Sequence, residues 1–159
     1  MSAAKLIPLE NRLARLIRRP GGAKVADVLK RADENLESIR ADCMTALDRH
    51  LEEIGRLRAQ SGRKASIEVK DAIYRLGNDI HGVAGVFGLT ELGEAAFSLC
   101  ELADRLRLSD RWSQAAVDVH ISALRLLRHP EGAGDSARVL AGLRQVVERF
   151  PKPVAEQEA

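Results

Sequence analysis

His81 is the side chain through which this sequence of 159 residues most directly offers chemistry. An imidazole can hold or release a proton near neutrality, and its free nitrogen lone pair can attack an electrophile. Asn78 lies one turn before it, and Gly77, Gly82 and Gly85 interrupt the same segment. Each glycine costs about 1 kcal/mol relative to alanine inside an exposed helix, so something must compensate for three of them. The segment keeps apolar residues at helical spacing: Val69, Ala72, Ile73, Leu76, Ile80, Val83, Ala84 and Phe87. With that stripe centred near Ile73, Leu76 and Ile80, Asn78 points almost directly away from the core. Gly82 and Gly85 lie within about 40° of that outward direction, and His81 about 60° to one side. The geometry predicts an outward face without bulk, flanked by a histidine, that another protein's backbone can approach closely. Close packing of a neighbouring helix of the same chain is the competing explanation for the glycines.

Lys70, Tyr74 and Arg75, with Asp71 and Asp79 setting the local sign, can complement an acidic partner across this face, or form an ordinary solvated helix surface. The other candidates are weaker. Ser98 and Cys100 have no histidine placed with them in sequence and suit close helix packing. His120 falls on an apolar stripe beside Val117 and Ile121, which predicts a buried histidine bonded to a backbone or carboxylate group. His50 and His129 lie at helix flanks or ends. His81 has no histidine or cysteine three or four residues away, so no metal site is expected there. CxxC, HExxH and GxxxxGK are absent, as is a strand followed by GxGxxG, and no cofactor is expected.

These residues need a scaffold, and the composition describes one. The chain is 45% hydrophobic and 30% charged but only 3% aromatic, so Leu, Ala, Val and Ile must fill the core, as in a helical bundle. Apolar steps of three and four from Val25 through Val28, Leu29, Ala32, Leu36, Ile39, Cys43, Leu47, Leu51 and Ile54 to Leu57 predict one long amphipathic helix closed by Ser61 and Gly62. A second helix runs from about Ser66 to Phe87 and ends at Gly88. A third starts at Thr90 and Glu91 and stops at Ser109 and Asp110. A fourth is capped by Ser113 and ends at His129 and Pro130, and a last one spans about Asp135 to Phe150. Short connections make the central four antiparallel. The expected fold is all-α: an up-down four-helix bundle over residues 22–150, an N-terminal helical arm over 1–21, an accessory C-terminal helix and a flexible tail over 151–159.

The formal net charge of +2 gives no field that implies nucleic acid or an anionic membrane as partner. The arm carries Lys5, Arg12, Arg15, Arg18 and Arg19 against the single acid Glu10, a local +4 that either touches an anionic surface or belongs to a solvated terminal helix. Two cysteines within helical patterns and no signal-peptide pattern predict packed thiols in a reducing cytoplasm.

The stretch from Ile73 to Asp104, IYRLGNDIHGVAGVFGLTELGEAAFSLCELAD, resembles the histidine phosphotransfer (HPt) domains of bacterial phosphorelays, particularly an alphaproteobacterial single-domain type. Asp79, Ile80, Gly82, Phe87 and Gly88 fit a pattern close to HDIKGxxxxFG, and Ser98, Leu99 and Cys100 fit the SLC of the following helix. With the long first helix and the segment from Val117 to His120, the likeness covers roughly residues 22–148. It implies a four-helix bundle that docks a response-regulator receiver domain or a histidine kinase and carries a phosphoryl group on an exposed imidazole. Here the acceptor position is Asn78, whose amide has no nitrogen lone pair of imidazole basicity, and the position of the phosphate-favouring lysine is His81. Three readings of His81 follow: a displaced phosphoacceptor, a cation attracting the partner's acidic pocket, or a plain surface histidine. The expectation is a degenerate phosphotransfer module that binds through Asn78, His81, Gly82, Gly85, Tyr74, Arg75, Asp71 and Lys70. The alternatives are an active phosphocarrier using His81, and a structural protein that self-associates through its arm or long helix. None of these is an enzyme in the strict sense, and none requires nucleic acid or membrane insertion.

Overall fold

The computed structural model describes residues 24–109, 111–129 and 134–151. Among them are five helices and no strand: α1 Val25–Gln60, α2 Ile67–Val86, α3 Thr90–Leu108, α4 Gln114–Leu127 and α5 Ser136–Glu148. The expected arm and most of the tail lie outside the described residues. The chain divides into two compact units, Met1–Ile39 and Arg40–Ala159.

Local chemistry sets the boundaries. Ser66 accepts from the Val69 amide and Ser113 from the Ala116 amide, satisfying first-turn donors of α2 and α4. Gly62 and Gly88 have φ of 56° and 69°, the left-handed region that ends a helix without a Cβ clash. After α2 the Leu89 amide bonds to the Ala84 carbonyl at 2.9 Å, a Schellman closure that turns the chain directly into α3.

In the second unit, α2 and α3 run antiparallel: Lys70 reaches Leu106 near one end and His81 reaches Gly93 near the other. Gly77 lies in tight contact with α3, since a Cβ there would lie 2.9 Å from Cys100 Sγ and 3.6 Å from the Ala96 carbonyl oxygen. Leu47, Leu51 and Ile54 of α1 enter the core with Ile73, Ile80, Leu92, Leu99, Leu102, Leu106, Val117 and Leu124. Ion pairs of Arg58 with Asp118 and of Arg128 with Asp48 tie α1 to α4 in antiparallel order. The accessory helix α5 inserts Leu140, Leu143 and Val147, and the buried Arg105 of α3 donates at 3.0 Å to the Val147 and Phe150 carbonyls. The Val147 carbonyl also accepts from the Phe150 amide at 3.0 Å, so Arg105 adds a second bond to the carbonyls that end α5.

One part of the predicted core is not core. Val25, Val28, Leu29, Leu36 and Ile39 are all exposed, Val25 at 69%. The apolar stripe is real, but only its portion from Leu47 onward is buried.

His120 is fully buried as predicted. Its Nδ1–H donates to the Ala116 carbonyl at 2.8 Å, which leaves Nε2 to accept from the Ser98 hydroxyl at 3.1 Å. No substrate can reach this pair without parting α3 from α4. Burial lowers the His120 pKa, against an opposing contribution from its bond to Ala116. The unfolded chain therefore binds this proton at a higher pH than the folded one. The stability from keeping His120 neutral is fully present above about pH 6.5 and is lost as pH falls from there through the lower folded value. Urea unfolding at pH 7.5 and 5.0 should show a loss of stability that is smaller in His120→Gln. An equal loss in both proteins would assign the acid sensitivity elsewhere.

Candidate functional site

The middle of α2 positions the site. Its buried residues are Lys70, Ile73, Gly77, Ile80 and Ala84, spaced by three and four. This set turns the buried stripe about 45° from the direction the apolar residues alone imply. Glycine and lysine add nothing to a hydrophobic pattern, yet Gly77 packs tightly against α3. Lys70 thereby leaves the predicted binding face: it is 3% exposed and its ammonium donates to the Leu106 carbonyl at 3.0 Å. Asp71 is half-buried and faces Arg107 at 3.5 Å, so its charge is largely answered within the chain.

The remaining predicted residues share the exposed side of α2. Tyr74, Arg75, Asn78, Asp79, His81, Gly82 and Gly85 are all exposed. Among the described residues, nothing lies within 4 Å of a Cβ built on Gly82 or Gly85. Among the described residues, the intrachain-packing explanation therefore holds for Gly77, and none packs over the other two. Gly82→Ala and Gly85→Ala should each raise stability by about 0.5–1 kcal/mol, because helix propensity improves with no steric cost. Chemical denaturation measures this, and a loss of stability would mean that the face is covered.

His81 is held rather than loose. Its Nδ1 lies 2.9 Å from the Gly93 carbonyl oxygen. A carbonyl only accepts, so Nδ1 carries the proton and the lone pair of the neutral ring resides on Nε2. The Phe97 ring packs against the imidazole with centroids 5.7 Å apart and planes tilted by 48°. Gly93 is close to the ring: a Cβ there would stand in ordinary contact, 3.7 Å from His81 Nδ1. Sequence reasoning missed both α3 residues. Phe97 carried a signal, being an aromatic off the apolar stripe in a chain with few aromatics, and it is 54% exposed. At the end of α2, the Arg40 guanidinium lies 4.8 Å from the Phe87 ring centroid.

Cys100 lies behind the face, its S–H directed at the Tyr74 carbonyl. Burial, aided by the negative charge of Asp79, pushes its pKa up to about 11. The thiol form is thereby favoured over the nucleophilic thiolate. Cys43 and Cys100 are both free. Among the described residues no three potential ligands cluster to hold a metal, and no helix is long and apolar enough to cross a membrane.

No family model matches the chain, nor does any curated protein or solved structure. The site's chemistry must be argued from its own residues.

Proposed function

We propose that this chain is a docking module of the histidine-phosphotransfer kind, which binds a receiver domain or a histidine kinase of a cytoplasmic phosphorelay through the α2 face around Asn78, Gly82 and Gly85. The observation that carries this is the unfilled space over Gly82 and Gly85, kept at an energetic cost on a helix that alanine would stabilise. Exposed Arg75 and Asn78 add hydrogen-bonding capacity to this side of α2, and the exposed rings of Tyr74 and Phe97 offer apolar contact. Exposed aromatics with an arginine and little competing bulk are the usual makings of an interface anchor. Asn78 cannot form a phosphoramidate, so the module steers or sequesters its partner instead of relaying the group.

The seating of His81 favours a second reading, an active carrier. Its protonated Nδ1 is engaged and its ring is exposed. In that reaction the Nε2 lone pair attacks the phosphorus of a receiver's aspartyl phosphate, a nitrogen–phosphorus bond forms, and the aspartate carboxylate departs with the electrons of the broken phosphorus–oxygen bond.

Incubation with radiolabelled phospho-receivers and an autophosphorylating kinase separates the two. Receiver binding without acid-labile label is the expected outcome. Label that is lost in His81→Ala and kept in Asn78→Ala would establish the carrier. Absence of binding to every receiver and kinase of the source genome, with concentration-dependent self-association, would overturn both and move the function to the exposed stripe from Val25 to Ile39.

A further inference from the structure

A second site lies near the other end of α2, about 16 Å along the helix from His81. A cavity of about 320 Å³ is lined by Arg63 and Lys64 of the α1–α2 connection, Ala65, Lys70, and Arg111 and Trp112 of the α3–α4 connection. Four of its six lining residues are cationic, and none of the described ones is a carboxylate. Asp110, beside Arg111 in sequence, lies outside the described residues. Arg63, Lys64 and Arg111 make no ion pair with any described residue, whereas most other arginines of the second unit do. Lys70 forms part of the wall, with its ammonium on the Leu106 carbonyl.

Trp112 supplies an independent observation. Its indole nitrogen is shielded from solvent and has no hydrogen-bond partner. An indole N–H can only donate, and a buried donor left unmet costs about 1–3 kcal/mol. Cations gathered with no described carboxylate among them have one chemical need, an anion rich in acceptor oxygens. Guanidinium forks match phosphate in geometry and charge, and an indole face accepts a stacked ring. The volume falls at the lower end of small-molecule pockets.

We infer that this cavity binds a small phosphate-bearing anion, held by Arg63, Lys64 and Arg111 against the Trp112 indole. The inference is independent of the α2 docking face. Trp112 is the single tryptophan of the chain, so its fluorescence reports on this pocket alone. Pyrophosphate and ADP, titrated separately at constant ionic strength, should each give a saturable fluorescence change and a calorimetric heat. Tighter binding of ADP would show the ring stacked on Trp112, and equal affinity would show recognition of phosphate alone; either supports the site. In the Arg63→Gln/Arg111→Gln variant, both exposed positions, the apparent Kd should rise at least tenfold with an unchanged circular dichroism spectrum. Lys64→Gln should weaken binding by a smaller factor. The inference is overturned if neither probe saturates by either method, if sodium chloride at matched ionic strength reproduces the response, or if the double variant binds as the parent does.

Discussion

Gly82→Arg is expected to weaken binding of the partner receiver domain at least tenfold while leaving the thermal midpoint of the free protein unchanged or slightly raised. No described residue lies within 4 Å of a Cβ at Gly82, so an arginine side chain can start from this exposed position without a clash. It also replaces a residue that disfavours helix by about 1 kcal/mol. A partner whose backbone must enter that space meets a long cationic side chain, and a tenfold loss corresponds to only about 1.4 kcal/mol of lost contact or added strain. Gln145→Arg, an exposed change on α5, is the control for charge alone. Calorimetric titration of both variants checks the expectation, and equal affinities would place the interface elsewhere.

The same residue type on the opposite side of the helix should behave in the reverse way. Gly77→Leu is expected to destabilise the fold by up to about 2 kcal/mol, because overpacking a tight core contact costs about 1–3 kcal/mol and improved helix propensity returns about 1. A Cβ alone would meet Cys100 Sγ at 2.9 Å and approach both the Ala96 carbonyl and Leu99 Cδ2, so the larger side chain forces α2 off α3. Urea denaturation measures the loss. A variant within 0.5 kcal/mol of the parent would mean that the two helices separate more easily than their packing implies. His81 should also lose its bond to Gly93 in this variant, since the seam that seats it opens.

This contrast shows how much of the molecule can be read from its sequence. Helix ends were legible because their causes are local: Ser66 and Ser113 cap through their own hydroxyls, and Gly88 supplies the positive φ of a turn. The burial of His120 was legible from its position on a strong apolar stripe, although its partner Ser98, 22 residues away, was not. Hydrophobic spacing cannot tell which glycine marks a helix contact, because glycine has no side chain to count. The burial of Lys70 escaped for a related reason: a charged residue reads as outward until Leu106 is seen to offer its carbonyl. Gly93 and Phe97 became part of the His81 environment only through the antiparallel pairing of α2 with α3. The exposure of α1 before residue 40 is encoded by no pattern within α1, whose apolar spacing continues unchanged through it. The cationic cavity escaped because it joins two connections about 50 residues apart.

The central claim is that a bare α2 surface receives another protein. Amide chemical-shift mapping of the isotope-labelled chain, titrated with unlabelled receiver domains from the source genome, tests it most directly. Shifts concentrated at Tyr74, Asn78, Gly82, Gly85 and Phe97, saturating with receiver concentration, are the predicted result. Saturable shifts confined to other helices, or spectra that no receiver perturbs, would contradict it.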